Sequence, residues 1–140
     1  MATMVEIRTA LLQSAITTLA TAGFPDTALA YENVPFEPRG LTKWAYLVIG
    51  TDTDVATLGD VGEDGVNGQL RILLSYQQNT GTAVSLADTE TIRGTFKAGY
   101  RPHAAVVVKQ ATLGAGYASD GGWYRTVVAV HFWARIARNG

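Results

Sequence analysis

The stretch GGWYRTVVAVHFWAR, residues Gly121–Arg135, decides the fold. It reads as a β-strand, and the side chains of a strand alternate between the two faces of a sheet. One face carries Tyr124, Thr126, Val128, Val130, Phe132 and Ala134, the composition of a core face. The other carries Trp123, Arg125, Val127, Ala129, His131, Trp133 and Arg135. Two tryptophans, two arginines and a histidine are an odd set to turn towards bulk water. Three coverings are open: a protein partner, because Trp and Arg are enriched in interface cores; a helix of the same chain; or nucleic acid, which basic stripes with aromatics bind.

Working outward from this strand, HAAVVVKQATL (103–113) reads as another strand, and GAGYASDGG (114–122) as the turn between them. Residues 82–97 read as a helix, with Leu86, Thr89, Ile92 and Phe96 on one stripe that Gly94 interrupts. In QLRILLSYQQ (69–78), Leu70, Ile72, Leu74 and Tyr76 face a core, and Gln69, Arg71, Ser75 and Gln77 face out. NTGT (79–82) is a turn. RGLTKWAYLVIGT (39–51) is a strand with Trp44, Tyr46 and Val48 on one side and Ala45, Leu47 and Ile49 on the other. TALAYENVPF (27–36) is a short strand that runs into an extended proline segment. Residues 4–21 read as a helix whose stripe is Val5, Leu12, Ile16 and Leu19, flanked by Met4, Leu11 and Ala15. Gly23-Phe24-Pro25 stops it. Its far face, with Ser14, Thr17, Thr18 and Thr21, holds few charges for an exposed helix and implies partial cover. The order of elements predicts an α+β fold: one domain over residues 1–140, with a mostly antiparallel β-sheet packed by the N-terminal helix and the second helix.

A chain of 140 residues is long enough for a real core, burying about 68–70% of its unfolded surface. It contains no cysteine, which excludes disulfides and thiolate metal sites. The net charge of -1 supplies no general attraction to nucleic acid or membrane. The uncharged run Thr9–Pro25 is rich in Thr, Ser, Gln and Ala and is no membrane span; with Glu6 ahead of it, it is no secretory signal either. Charge is divided unevenly. Residues 93–140 hold a single acid, Asp120, whereas DTDVATLGDVGEDGVNG (52–68) holds Asp52, Asp54, Asp60, Glu63 and Asp64. Such a chain can bind copies of itself head to tail, or can mix both signs on one surface.

The catalytic inventory is thin. The histidines are His103 and His131, no G-x-S-x-G elbow is present, and Ser119-Asp120 sits in a turn where both types serve turn geometry. No enzyme and no cofactor are expected. Two histidines without cysteine make a poor zinc site. The acidic stretch 52–64 leaves open a calcium- or small-ligand-binding module, although the twelve-residue calcium loop is not matched. Gly59, Gly62, Gly65 and Gly68 recur at every third position, but the carboxylates between them would repel a phosphate. The stretch reads better as a flexible or projecting arm.

Several short motifs occur in a fixed order. Asn33, Phe36 and Pro38 form an Asn-x-x-Phe-x-Pro stretch ahead of a strand led by Trp44. A Gly-x-Leu strand, Gly68 and Leu70, ends in a turn with Gly81, and the final strand opens with Gly122, Trp123 and Tyr124. Over essentially the whole chain this resembles the tail terminator, or tail-completion, proteins of long-tailed bacteriophages, and most closely a phage-related family formerly described as a domain of unknown function. The long acidic arm departs from that pattern. The resemblance implies a structural virion protein of the phage neck, present in the host cytoplasm during assembly. Its subunits form a ring, typically a hexamer, that caps the tail tube and joins it to the head connector. The partners implied are further copies of the chain, the tail tube protein and a head-completion or connector protein, with DNA passing through the lumen without specific binding and no membrane contact. A head–tail joining protein of the neck is the neighbouring alternative. The intersubunit contact then falls to Asp52, Asp54, Asp60, Glu63 and Asp64 on one side and Trp123, Arg125, Trp133 and Arg135 on the other.

Overall fold

The computed structural model describes residues 2–55, 62–78, 81–114, 116–119 and 122–137. Helix α1 (Met4–Thr21) is followed by a single 3-10 turn (Asp26–Ala28) and strands β1 (Leu29–Tyr31), β2 (Lys43–Val55) and β3 (Glu63–Gln77). Helix α2 (Ala83–Thr95) and strands β4 (Val106–Leu113), β5 (Tyr117–Ser119) and β6 (Trp123–Ala137) complete the order. The six strands form one sheet, β1-β2-β3-β6-β4, with β5 also paired to β6. β1 lies parallel to β2, and the other pairings are antiparallel. The fold is α+β with a mixed, mostly antiparallel sheet.

β6 pairs with β3 along its whole length, from Gln77 opposite Trp123 to Glu63 opposite Ala137. Thr126, Val128, Val130, Phe132 and Ala134 are buried, as are Leu70, Ile72, Leu74 and Tyr76 beside them. Both helices lie over this face, so the alternation expected for the last strand holds along its core side. The segment 114–122, expected as a turn, contains the short strand β5.

α1 starts where Thr3 accepts the backbone N–H of Glu6 at 3.2 Å, satisfying one of the open donors of the first turn. It ends at Gly23, whose φ of +91° suits glycine; there Phe24 N–H reaches back to the Leu19 carbonyl at 2.7 Å and the Phe24 ring is fully buried. The buried row is Ile7, Leu11, Ala15 and Leu19 at i, i+4 spacing, with Leu12 and Ile16 on its flank. Val5, expected in the stripe, is 72% exposed. The apolar arc of this helix is wider than one stripe, and the sheet selects the side centred on Leu11 and Ala15. The polar face is covered in part, as expected: Thr18 is buried, and the Ser14 hydroxyl lies 3.2 Å from that of Tyr100.

α2 turns Ser85, Asp88, Thr89 and Ile92 inward and leaves Leu86 54% exposed, against the expected stripe. Leu86 and Asp88 are about 200° apart on a helix and cannot both face the sheet. The carboxylate takes the inside because it is satisfied there. Tyr76 donates to Asp88 Oδ2 at 2.7 Å, and Lys43 Nζ reaches the same oxygen at 3.2 Å and the Ala22 carbonyl at 2.8 Å. This cluster ties the end of α1, β2, β3 and α2 together. Burial, and then the Asp88 carboxylate, raise the Tyr76 phenol well above its ordinary pKa.

The acidic stretch is not a loop over its described part. β2 and β3 continue through it as a hairpin, pairing Asp52 with Asn67, Asp54 with Gly65 and Val55 with Asp64. Gly68 has a packing reason: a Cβ there would stand 2.6 Å from Phe132 Cζ and 2.7 Å from the Gly50 carbonyl oxygen.

Candidate assembly face

With both helices on one side, the odd-numbered residues of β6 line a sheet face that no helix among the described residues covers. Register orders this face in rows: Trp44, Ser75, Arg125 and Tyr117; Val48, Arg71, Ala129 and Thr112; Gly50, Gln69, His131 and Gln110; Asp52, Asn67, Trp133 and Val107. Its two ends differ.

The Trp44 end is covered by the chain itself. A turn with Asn33 at φ +58°, a conformation asparagine tolerates, leads from β1 into residues 32–42. Phe36 and Leu41 of that segment pack against the cluster of Ala28, Ala30 and Trp44, with the Phe36 and Trp44 rings 5.1 Å apart. Trp123 meets Trp44 edge-on at 6.0 Å, and the Arg125 guanidinium lies 5.3 Å from the Trp44 ring. Arg125 Nε also donates to Ser75 Oγ at 3.1 Å. Ser75, expected to face solvent, is therefore fully buried.

At the other end Trp133 is half-buried and Arg135 is exposed. A hollow of about 650 Å³ opens over Gly50, between Val48, Arg71, Lys109 and His131. Lys109 sits at a β-bulge between Val108 and Gln110, and its ammonium donates to Asn67 Oδ1 at 2.9 Å. His131 Nε2 is 3.3 Å from Thr112 Oγ1. The Arg135 guanidinium lies 5.3 Å from the Trp133 ring, and its Nη1 stands 3.7 Å from Glu63 Oε1. The Arg135 side chain remains 48% exposed.

The nine residues expected to form an intersubunit contact thus divide. Trp123 and Arg125 pack internally. Trp133, Arg135, Asp52 and Glu63 share the open end of one face. Asp64 pairs in register with Ile136 on the helix side. Asp54 is placed by its backbone pairing with Gly65, and Asp60 lies outside the described residues. The acidic arm and the basic strand face, read as two separate patches, adjoin within one subunit because β3 pairs antiparallel with β6. Arg71 was legible from the alternation of its strand; Lys109 was not, since a bulge leaves no composition signal.

Among the described residues, no three His, Asp or Glu side chains gather closely enough to hold a metal ion. His103 sits beside α1, its Nε2 3.8 Å from Glu6 Oε2, whereas His131 is on the opposite face. No helix among the described residues is long and apolar enough to cross a membrane.

No family model and no curated protein matches the chain. A solved structure of a protein that bears no functional name superposes with a TM-score of 0.62 at 15% identity, covering 91% of this chain and 92% of its own. A chain from the virion of a native gene transfer agent particle reaches a TM-score of 0.47 at 16% identity, covering 85% of this chain and 84% of that one. At these identities the first likeness establishes a shared fold and nothing further.

Proposed function

We propose that this protein is a structural virion protein of a long-tailed phage, a tail terminator whose subunits form a ring that caps the tail tube and joins it to the head connector. The observation that carries the reading is the open end of the sheet face: Trp133 and Arg135 stand on a surface that neither helix nor the 32–42 segment covers. The motif order from Asn33 to Tyr124 supports the family on the sequence side. A ring needs a heterologous contact, in which two different patches of one subunit meet their counterparts on its neighbours. The partners are further copies of the chain, six in a hexamer, together with a tube protein and a connector protein; DNA passes through the lumen without specific binding. The reading assigns no catalytic residue and no cofactor. Negative-stain imaging of the purified protein, alone and mixed with tail tubes that lack their cap, tests it. Rings, or density capping one end of each tube, are expected; a monomer that leaves tube ends bare overturns it.

A further inference from the structure

The helix-free face holds positive charge that its own subunit leaves unpaired. The hollow over Gly50 is lined by two cations, Arg71 and Lys109, and by one carboxylate, Asp52. The Arg71 side chain is exposed and makes no hydrogen bond or ion pair among the described residues. Its register neighbours across the sheet, Val48 and Ala129, are apolar, where an opposite charge would be the favourable cross-strand partner. Lys109 donates to Asn67 Oδ1 at 2.9 Å, an uncharged oxygen that leaves the ammonium's charge in place. Asp52 forms an ion pair with neither cation among the described residues.

Strand geometry assembles this lining. Val108 stands opposite Phe132 and Gln110 opposite His131, so β4 carries one residue more than β6 between those rows. The extra residue is Lys109. In a regular strand Lys109 and Gln110 would point to opposite faces; across the bulge both line the hollow. Gly50 puts no side chain into the row it shares with Gln69, His131 and Gln110, and the space opens there. Asn67, with its oxygen turned to the ammonium, keeps its Nδ2 donors for another group. The hollow thus offers a fork of guanidinium donors, an ammonium and several amides around one cavity.

We propose that this hollow receives an acidic side chain from a segment of a protein partner, its carboxylate set between the Arg71 guanidinium and the Lys109 ammonium. Charge complementarity selects the group: a guanidinium with all its donors free matches a carboxylate in two parallel bonds. The surroundings select a protein over a nucleic acid. A nucleic-acid strand carries a charge at every step and needs a basic track. Here the positive charge is confined to the hollow, with Asp52 in its lining and Glu63 farther along the face beside Arg135. The half-buried Trp133, opposite Asn67, supplies apolar contact for the residues that flank the acid. A monomer carries this site as well as a ring does, so its failure leaves the ring reading untouched.

The test is an NMR titration of the isotope-labelled full chain at low salt, where surface charge is least screened. The probes are the peptide acetyl-Leu-Glu-Leu-amide, its Gln counterpart acetyl-Leu-Gln-Leu-amide, and a thymidine oligonucleotide. The Glu peptide should shift the Arg71 side-chain N–H and the amides around the hollow in a saturable way, and the Gln peptide should not. Arg71→Gln, and separately Lys109→Gln, should weaken that binding by about fivefold or more while the melting transition stays in place. No shift at the hollow, equal shifts with both peptides, or unaltered binding to folded Arg71→Gln overturns the proposal. Tighter binding of the oligonucleotide at the same residues overturns it too, in favour of nucleic acid. If neither variant folds, the comparison of the two peptides on the wild-type protein decides.

Discussion

The two ends of the helix-free sheet face are built from the same residue types and put them to different uses. At one end Phe36, Trp123 and Arg125 all pack on Trp44, with Leu41 against the same cluster, and the chain completes its own packing. At the other, Trp133 and Arg135 stack on each other, and among the described residues neither helix nor the 32–42 segment packs on them. An aromatic–cation pair therefore does not by itself mark an interface. What marks it is whether the connecting segment reaches that far, and residues 32–42 end beside Trp44.

The comparison is broken most forcefully at its covered end. Trp44→Ala removes a side chain only 9% exposed and should cost about 3–5 kcal/mol of folding stability, measured by urea denaturation. A loss under about 1 kcal/mol would mean that this end is no more a core than the other. Gly68→Ala lies beneath the hollow of the open end. Its new methyl meets the Phe132 ring and the Gly50 carbonyl, and the strain should cost about 1–3 kcal/mol in the same assay; a neutral result would show that Phe132 moves freely. Arg125→Ala should cost a similar or smaller amount, about 1–3 kcal/mol, because the Ser75 hydroxyl loses its partner while still shielded from water. Thermal melting of that variant beside Arg125→Lys separates the hydrogen bond from the bulk of the chain. The smallest effect belongs to Glu63→Gln. Its pair with Arg135 is long and half solvated, so monomer stability should move by no more than about 0.5 kcal/mol. A larger loss would make Glu63 a structural partner of the strand.

How much of this was legible follows from the kind of signal each residue carries. The strand 123–137 could be read because a period of two leaves two alternatives per residue, and Val128, Val130 and Phe132 settle which face is inside. The helices were read at their ends but not in their orientation. Both apolar arcs are broad, and the sheet chose Ile7 over Val5 and Asp88 over Leu86. Asp88 had no signal of its own, since its burial depends on Lys43 and Tyr76, which come from two other elements. The acidic stretch was taken for an arm because its carboxylates mask the alternation. Over its described residues it is the far half of a hairpin whose inward contribution includes Val66 and the bare Gly68. The open face was legible as a composition, whereas its division into a covered and an uncovered half depends on where the 32–42 segment lies.

Trp133→Ala tests the central claim most directly, with the melting transition of the monomer and self-assembly measured side by side. Melting should shift by the equivalent of about 1 kcal/mol or less, as for a side chain outside the core. Assembly should weaken by at least about 2 kcal/mol, the scale of a buried interfacial tryptophan. A collapsed melting transition, or unaltered assembly, would contradict the account and return Trp133 to the subunit's own packing.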